Sequence, residues 1–150
     1  MADRITPEQR SLNMQHVKGK NTAPELYLRT LLFEKGYRYR IHSKSVPGHP
    51  DIWSRKYNTA LFVHGCFWHR HKGCKYASTP QTRQDFWEKK FLQNTNRDIE
   101  VRQNLRDRGI KCLIVWECTV KKMRKDSETE EEIIKSIEDF FRSDCMFLEL

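Results

Sequence analysis

The 150-residue sequence lacks internal repeats, low-complexity segments and Gly/Ser-rich linkers. These absences argue against a solenoid or a chain of tethered modules. With 37% hydrophobic residues the chain can bury a substantial core without disulfide support. We therefore expect a single domain over 1–150, in which a polar N-terminal arm (1–21) precedes a compact core (22–150).

Long apolar segments are also missing, and nothing near the N-terminus resembles a signal peptide or a membrane span. The five cysteines are an odd number. Clustered Cys and His in a chain without secretion signals are more typical of a metal-binding protein than of a disulfide scaffold. The sequence thus predicts a soluble, cytoplasmic protein that does not associate with membranes.

Acidic residues are in the minority, with 20 Asp and Glu against 28 Lys and Arg and a net charge of +8. The excess is greater over the first 125 residues, because the acids cluster toward the C-terminus. Such a balance is typical of proteins that bind a phosphate backbone, although it also fits membrane-surface or ribosomal proteins. Charge indicates a polyanionic partner without identifying it.

The apolar pattern predicts the element order α-β-β-β-α-β-α. A first helix is expected after Thr22, which can cap it while Glu25 completes a capping box, and Gly36 should end it. The other predicted elements are strands at 37–42, from about 51 to 53 and at 59–64, a helix at 82–107, a strand at 111–116 and a helix from about 126.

A strand, a long helix and a second strand in succession favour parallel pairing of 59–64 with 111–116. Parallel neighbours end on the same edge of a sheet. Cys118, just after the second strand, is therefore expected beside the loop that begins at Cys66.

The segment from His64 to Cys74 carries ligands at metal-binding spacing. Cys66, His71 and Cys74 form a Cys-x4-His-x2-Cys pattern that suits tetrahedral zinc, with Cys118 as the fourth ligand. The alternative is three soft side chains on an ordinary loop. Cys112 and Cys145 are interpreted as buried thiols or bystanders.

With Pro50 and Asp51 at the start of the second strand, this order resembles the restriction-endonuclease-like core, a mixed central β-sheet flanked by helices. In that superfamily a carboxylate from this strand binds magnesium. The next strand usually adds an acid-x-Lys motif, but Phe62-Val63-His64 contains neither an acid nor a lysine.

Six short motifs are spread over about three-quarters of the chain. They are Asn13-Met14, Thr22-Ala23-Pro24-Glu25, Pro47-Gly48-His49-Pro50-Asp51, His64-Gly65-Cys66-Phe67-Trp68-His69, Thr82-Arg83-Gln84-Asp85-Phe86-Trp87 and Val115-Trp116-Glu117-Cys118. Together they are similar to the very-short-patch repair (Vsr) endonucleases, bacterial enzymes that nick DNA at thymine-guanine mismatches. The resemblance implies a monomeric enzyme acting at the bacterial nucleoid.

The resemblance implies a catalytic site. Asp51 would bind Mg²⁺ with the main-chain carbonyl of Val63, a position where the family often has Thr. His69 would be the general base, oriented by Glu25, and His64 would contact the phosphate or assist proton transfer. The alternatives are that His69 binds zinc and that Glu25 only caps its helix.

The resemblance also implies DNA contacts. Phe67 and Trp68 would insert into the base stack beside the mismatch, while the arm carrying Met14 crosses the other groove. Lys90 and Asn94 occupy base-contacting helix positions. Packing over the zinc is the alternative for the aromatic pair, and gap-filling is the alternative for Met14.

The function implied is Mg²⁺-dependent, zinc-stapled nicking 5′ of the thymine in T·G mismatches in double-stranded DNA. Such mismatches arise when 5-methylcytosine deaminates, so a cytosine-5 DNA methyltransferase is the expected functional companion, and mismatch-repair proteins are expected partners. Two rival functions remain: a nuclease of the same core without mismatch preference, and a zinc-stabilised DNA-binding module without catalysis.

Overall fold

The computed structural model describes residues 6, 8–9 and 20–150. Met14 and most of the predicted arm lie outside these residues. No helix in the described ranges has the length and apolarity that crossing a bilayer requires. The helices and strands from residue 20 onward are α1 (Ala23–Glu34), β1 (Ile52–Ser54), β2 (Thr59–His64), α2 (Gln84–Asp107), β3 (Lys111–Trp116), α3 (Glu117–Lys125), α4 (Ser127–Arg142) and β4 (Phe147–Glu149).

The four strands form one mixed sheet in the order β1-β2-β3-β4. β1 runs antiparallel to β2, whereas β2 with β3 and β3 with β4 are parallel. The parallel pairing predicted for 59–64 and 111–116 is confirmed, with His64 opposite Trp116. The segments that follow these two strands therefore leave from the same edge of the sheet.

Alternate side chains of β2 and β3 pack on opposite faces of the sheet. Leu61 and Leu113 face a core built with Leu28 of α1, Val120 of α3 and Ile137 of α4. The other face carries Ala60, Phe62, Cys112 and Ile114, which pack in a cluster with Leu105 of α2. The predicted α/β class, a mixed sheet flanked by helices, is thus confirmed.

The capping box predicted for α1 is present. The Thr22 hydroxyl accepts from the Glu25 amide at 3.4 Å, and Glu25 Oε2 accepts from the Thr22 amide at 3.2 Å. Gly36 follows the helix at φ +97°, as its predicted role as a stop requires. α2 starts two residues later than predicted, since Arg83 before it is left-handed at φ +54°.

The strand predicted at 37–42 is wrong. Only Arg40 pairs there, through an antiparallel bridge to Trp53, because His42 adopts a left-handed backbone with φ +48° that ends the extended run. Two further elements were not predicted. α3 follows β3 directly and buries Val120 and Met123, and the three-residue β4 completes the sheet beside β3.

Candidate active site and metal centre

The four predicted metal ligands lie together where β2 and β3 end. The ligand atoms of Cys66, His71, Cys74 and Cys118 are all within 4.8 Å of one another. His71 Nδ1 lies 3.6 Å from Cys66 Sγ and 3.4 Å from Cys118 Sγ. Tetrahedral bonds of about 2.0 Å to nitrogen and 2.3 Å to sulfur would separate such atoms by roughly 3.5 Å. We call these four residues the metal clip, and they could bind a metal.

Local structure and packing hold the clip in shape. The His71 amide donates to the Cys66 carbonyl at 3.0 Å and the Cys74 amide to the His71 carbonyl at 3.2 Å. The His71 ring stacks on Trp116 with centroids 4.2 Å apart. Burial raises the pKa of the Cys66 thiol to about 12, so a thiolate there needs a cation beside it. Gly73 adopts a left-handed backbone, with φ +72°, in the tight turn before Cys74.

Beside the clip, a cavity of about 720 Å³ opens at the same edge of the sheet. Two further groups of ligating side chains lie in or beside it. The described residues in these groups are Glu25, His42 and Asp51 in one and His64, His69 and Asp98 in the other. Among them, His42, Asp51, His64, His69 and Asp98 line the cavity, as does Val63.

Asp51 sits just before β1 and faces β2. Its Oδ2 accepts from the Val63 amide at 2.7 Å, and its Oδ1 lies 3.8 Å from His42 Nε2. Glu25 Oε1 lies 2.8 Å from the same His42 nitrogen. Glu25 was predicted to orient His69, but its described contacts are with Thr22, His42 and Asp51.

The Asp51 and Glu25 carboxyls lie so close that ionisation of one disfavours ionisation of the other. Burial, aided by the hydrogen bond with Glu25, raises the pKa of Asp51 to about 8. Burial also acts to raise the pKa of Glu25, but hydrogen bonds to Asp51 and His42 outweigh it and lower that pKa below its ordinary value. A buried and a half-buried carboxyl that resist ionising together form a favourable environment for a divalent cation.

His69, from the loop after β2, is held by α2. Its Nδ1 lies 2.7 Å from Asp98 Oδ2, and its ring stacks on His64 with centroids 3.8 Å apart and planes 6° apart. Burial lowers the pKa of His64 to about 3, and nearby His69 lowers it as well, so His64 is a neutral imidazole. The carboxylate that contacts His69 is thus that of Asp98.

The predicted DNA-binding aromatics pack against α2 in this structure. The Phe67 ring centroid lies 5.1 Å from that of Trp68, 5.4 Å from Trp87 and 5.2 Å from Phe91. Asn94 donates from Nδ2 to the Trp68 carbonyl at 3.1 Å. Phe67, Trp68, Asn94 and the nearby Lys90 are all half-buried. Their DNA contacts remain predictions.

Comparison with known proteins decides the family. Residues 2–76 match the DNA mismatch endonuclease Vsr family. The type II nicking enzyme V.XorIIP of Xanthomonas oryzae is 45% identical over 118 residues, which span 79% of this chain and 86% of that one. The chain belongs to the Vsr DNA mismatch endonuclease family. The DNA mismatch endonuclease Vsr of Escherichia coli is 36% identical over 140 residues, spanning 93% and 88% of the two chains.

Membership makes this protein a DNA mismatch endonuclease, and its substrate is DNA. A nuclease of this family implies a divalent metal, and the carboxyl-lined cavity beside the clip has donors that suit one. The Vsr resemblance inferred from the sequence motifs is confirmed.

Sequence reasoning missed two residues of the Vsr cavity. Asp98 is one of several charged residues along the long helix α2, and only the fold brings it to His69. His42 lies in the segment mistaken for a strand, where its backbone conformation could not be read from the sequence. No local pattern distinguishes either residue.

Proposed function

We propose that this Vsr-family endonuclease nicks one strand of duplex DNA 5′ of the thymine in a T·G mismatch. The nick would initiate very short patch repair of deaminated 5-methylcytosine. The observation that carries the proposal is the convergence of Asp51 and the His69–Asp98 pair on one cavity. A carboxylate for the metal and an imidazole for the attacking water are the minimum that hydrolysis of a phosphodiester needs here.

Asp51 and the main-chain carbonyl of Val63 would hold Mg²⁺, with water and phosphate oxygens as the remaining ligands. The fit rests on donor chemistry, since Mg²⁺ prefers oxygen and Asp51 is a half-buried carboxyl whose charged form a cation would stabilise. When bound, the ion neutralises charge on the phosphate and stabilises the leaving oxygen. The Val63 amide, which donates to Asp51 Oδ2 at 2.7 Å, fixes the carboxyl in place.

His69 is the proposed general base. The contact of its Nδ1 with Asp98 holds the proton on that nitrogen and leaves Nε2 able to accept a proton from the attacking water. Stacking on His64 restricts rotation of the ring. His64 would contact the scissile phosphate or assist the transfer, while Glu25 supports the Asp51 side of the cavity through His42.

The metal clip is proposed to hold structural Zn²⁺. The sulfur and nitrogen atoms of Cys66, His71, Cys74 and Cys118 are the donor set of closed zinc sites, and their separations suit a tetrahedron. The clip connects the loop carrying His69 to β3 and α3. Zinc there would stabilise the position of the proposed base.

Mismatch recognition is proposed to use the half-buried pair Phe67 and Trp68 as an apolar wedge, with Lys90 and Asn94 of α2 reading base edges and Met14 entering the opposite groove. A mismatch lowers the cost of unstacking that such a wedge incurs. The protein would act as a monomer at the nucleoid in the bacterial cytoplasm. A cytosine-5 DNA methyltransferase would create its substrate, and mismatch-repair proteins would be its partners.

The decisive experiment incubates the purified protein with Mg²⁺ and end-labelled duplexes that differ only at a T·G mismatch, beside matched and single-stranded controls. The expected product is a nick 5′ of the thymine that is absent from the controls and from the Asp51→Ala variant. Equal cutting of all duplexes would instead identify a nuclease without mismatch preference. Tight mismatch binding without cleavage would identify a recognition module.

A further inference from the structure

His42 directs one ring nitrogen toward both carboxyl groups of the Glu25–Asp51 pair. Its Nε2 lies 2.8 Å from Glu25 Oε1 and 3.8 Å from Asp51 Oδ1. All three ligand atoms lie within 4.8 Å of one another. Two ligands of one ion with bonds of about 2.1 Å can be at most about 4.2 Å apart. Both measured separations fall within that limit.

The backbone holds the imidazole of His42 in this position. His42 has φ +48°, a left-handed conformation that costs a non-glycine residue energy. Its amide donates to the Pro50 carbonyl at 3.0 Å, next to Asp51, and the Arg40–Trp53 bridge fixes the chain two residues earlier. A strained conformation that the surroundings enforce at a site is a reason to look for a role there.

Glu25 can serve its helix and the cavity at the same time. Its Oε2 accepts from the Thr22 amide in the capping box, whereas Oε1 faces His42. The residue is only 2% exposed. A carboxylate buried so completely needs positive charge as well as hydrogen bonds nearby, and here Arg29 and His42 help to lower its pKa.

We propose that His42 is a nitrogen ligand, beside Glu25 and Asp51, of the divalent cation in the catalytic cavity, and that it makes this site bind Mn²⁺ more tightly than Mg²⁺. The inference rests on the proposed function only in placing a cation at Asp51. Imidazole nitrogen is a good ligand for first-row transition ions, whereas Mg²⁺ prefers an oxygen environment. One imidazole among the carboxylates therefore shifts the preference of the site from Mg²⁺ toward Mn²⁺.

The test measures Mn²⁺ binding to the zinc-loaded full-length protein without DNA, by electron paramagnetic resonance titration with Mg²⁺ as competitor. Pulsed measurements of the bound Mn²⁺ should show coupling to a ¹⁴N nucleus. The variant is His42→Asn, because Asn tolerates a left-handed backbone and lacks the imidazole. We expect the ¹⁴N coupling to disappear and Mn²⁺ affinity to fall about tenfold, with Mg²⁺ affinity nearly unchanged.

The matched control is His49→Asn. His49 has the same φ of +48° and lines the same cavity, but it is not a member of the Glu25–His42–Asp51 group. Its variant should keep both the coupling and the Mn²⁺ affinity. Zinc content and circular dichroism of His42→Asn should match the unmodified protein, which excludes a folding defect as the cause.

Three results would overturn the inference alone. A ¹⁴N coupling that survives in His42→Asn would belong to another imidazole, and equal losses of Mn²⁺ and Mg²⁺ affinity would make His42 a positioning residue for Glu25. Unchanged Mn²⁺ affinity in His42→Asn would remove any role in binding. In each case a mismatch-directed nick would leave the proposed function standing, whereas Mn²⁺ binding that survives Asp51→Asn would contradict both.

Discussion

The metal clip and the cavity beside it both bring ligating side chains together, but the chain assembles them differently. Three clip ligands come from nine consecutive residues, 66–74, and a fourth joins from the start of α3. The cavity collects His42 from a loop, Asp51 before β1 and Asp98 from α2, and Glu25 of α1 lies beside it in contact with His42. The clip is therefore largely a local structure, whereas the cavity exists only once the sheet and both helices are in place.

The two regions also differ in their donor atoms. The clip has three sulfurs and one nitrogen, which suit a tightly held structural ion. The cavity offers carboxylates and imidazoles, which suit an exchangeable cation and proton transfer. Damage to the clip should thus appear first as lost stability, and damage to the cavity as lost rate at unchanged stability.

The largest effect is expected from opening the clip. Cys118→Ser should abolish zinc binding and reduce the free energy of unfolding by more than about 4 kcal/mol, because a structural metal site contributes directly to folding. Atomic spectroscopy measures the zinc content, and thermal unfolding measures the loss of stability. Cys145→Ser, at an exposed thiol outside the clip, is the control. Full zinc content in Cys118→Ser would show that the clip does not need its fourth residue.

The next effect concerns the cavity alone. Asp51→Asn should lower the single-turnover nicking rate about a thousandfold, which corresponds to about 4 kcal/mol, because the proposed cation loses its charged ligand. Zinc content should stay complete. The melting temperature should not fall, since the change also removes a carboxyl whose ionisation is disfavoured by burial. A large loss of zinc in this variant would mean that the two regions are not independent.

A smaller loss of nicking rate is expected from replacing Asp98, the carboxylate that contacts His69. Asp98→Asn should lower the nicking rate about a hundredfold, because the imidazole loses the partner that fixes its tautomer. Glu100→Gln removes the same charge from an exposed position of the same helix and should leave the rate within about twofold. Equal losses in both variants would indicate a general charge effect on DNA binding.

The smallest effect, a slight loss of thermal stability, is expected from replacing Gly73 in the clip loop. Gly73 has φ +72°, and a Cβ added there would meet no atom within 4 Å, so Gly73→Ala should cost only backbone strain, about 1 kcal/mol. That cost is about 2–4 °C in melting temperature for a chain of this size. Gly109→Ala, at φ +67° and equally open, should show the same loss. Reduced zinc content in Gly73→Ala alone would mean that the glycine shapes the ligands.

The elements that could be predicted are those whose sequences agree with their environment. β2 and β3 are apolar runs that are buried in the sheet, and α1 carries its own cap and stop. The short α3 is polar apart from Val120 and Met123, and it is helical because those two side chains reach the core. β4 has three residues and depends on the free edge of β3.

The sequence by itself determined the family, the parallel pairing of β2 with β3 and the meeting of the four clip residues, because each depends on local spacing or on one strand-helix-strand connection. Only the tertiary structure decided that Glu25 contacts His42 and that Asp98 contacts His69. These contacts join residues 17 and 29 positions apart on separate elements. Such pairs follow from how helices pack on a sheet and from one left-handed backbone angle, neither of which leaves a periodic signal in the chain.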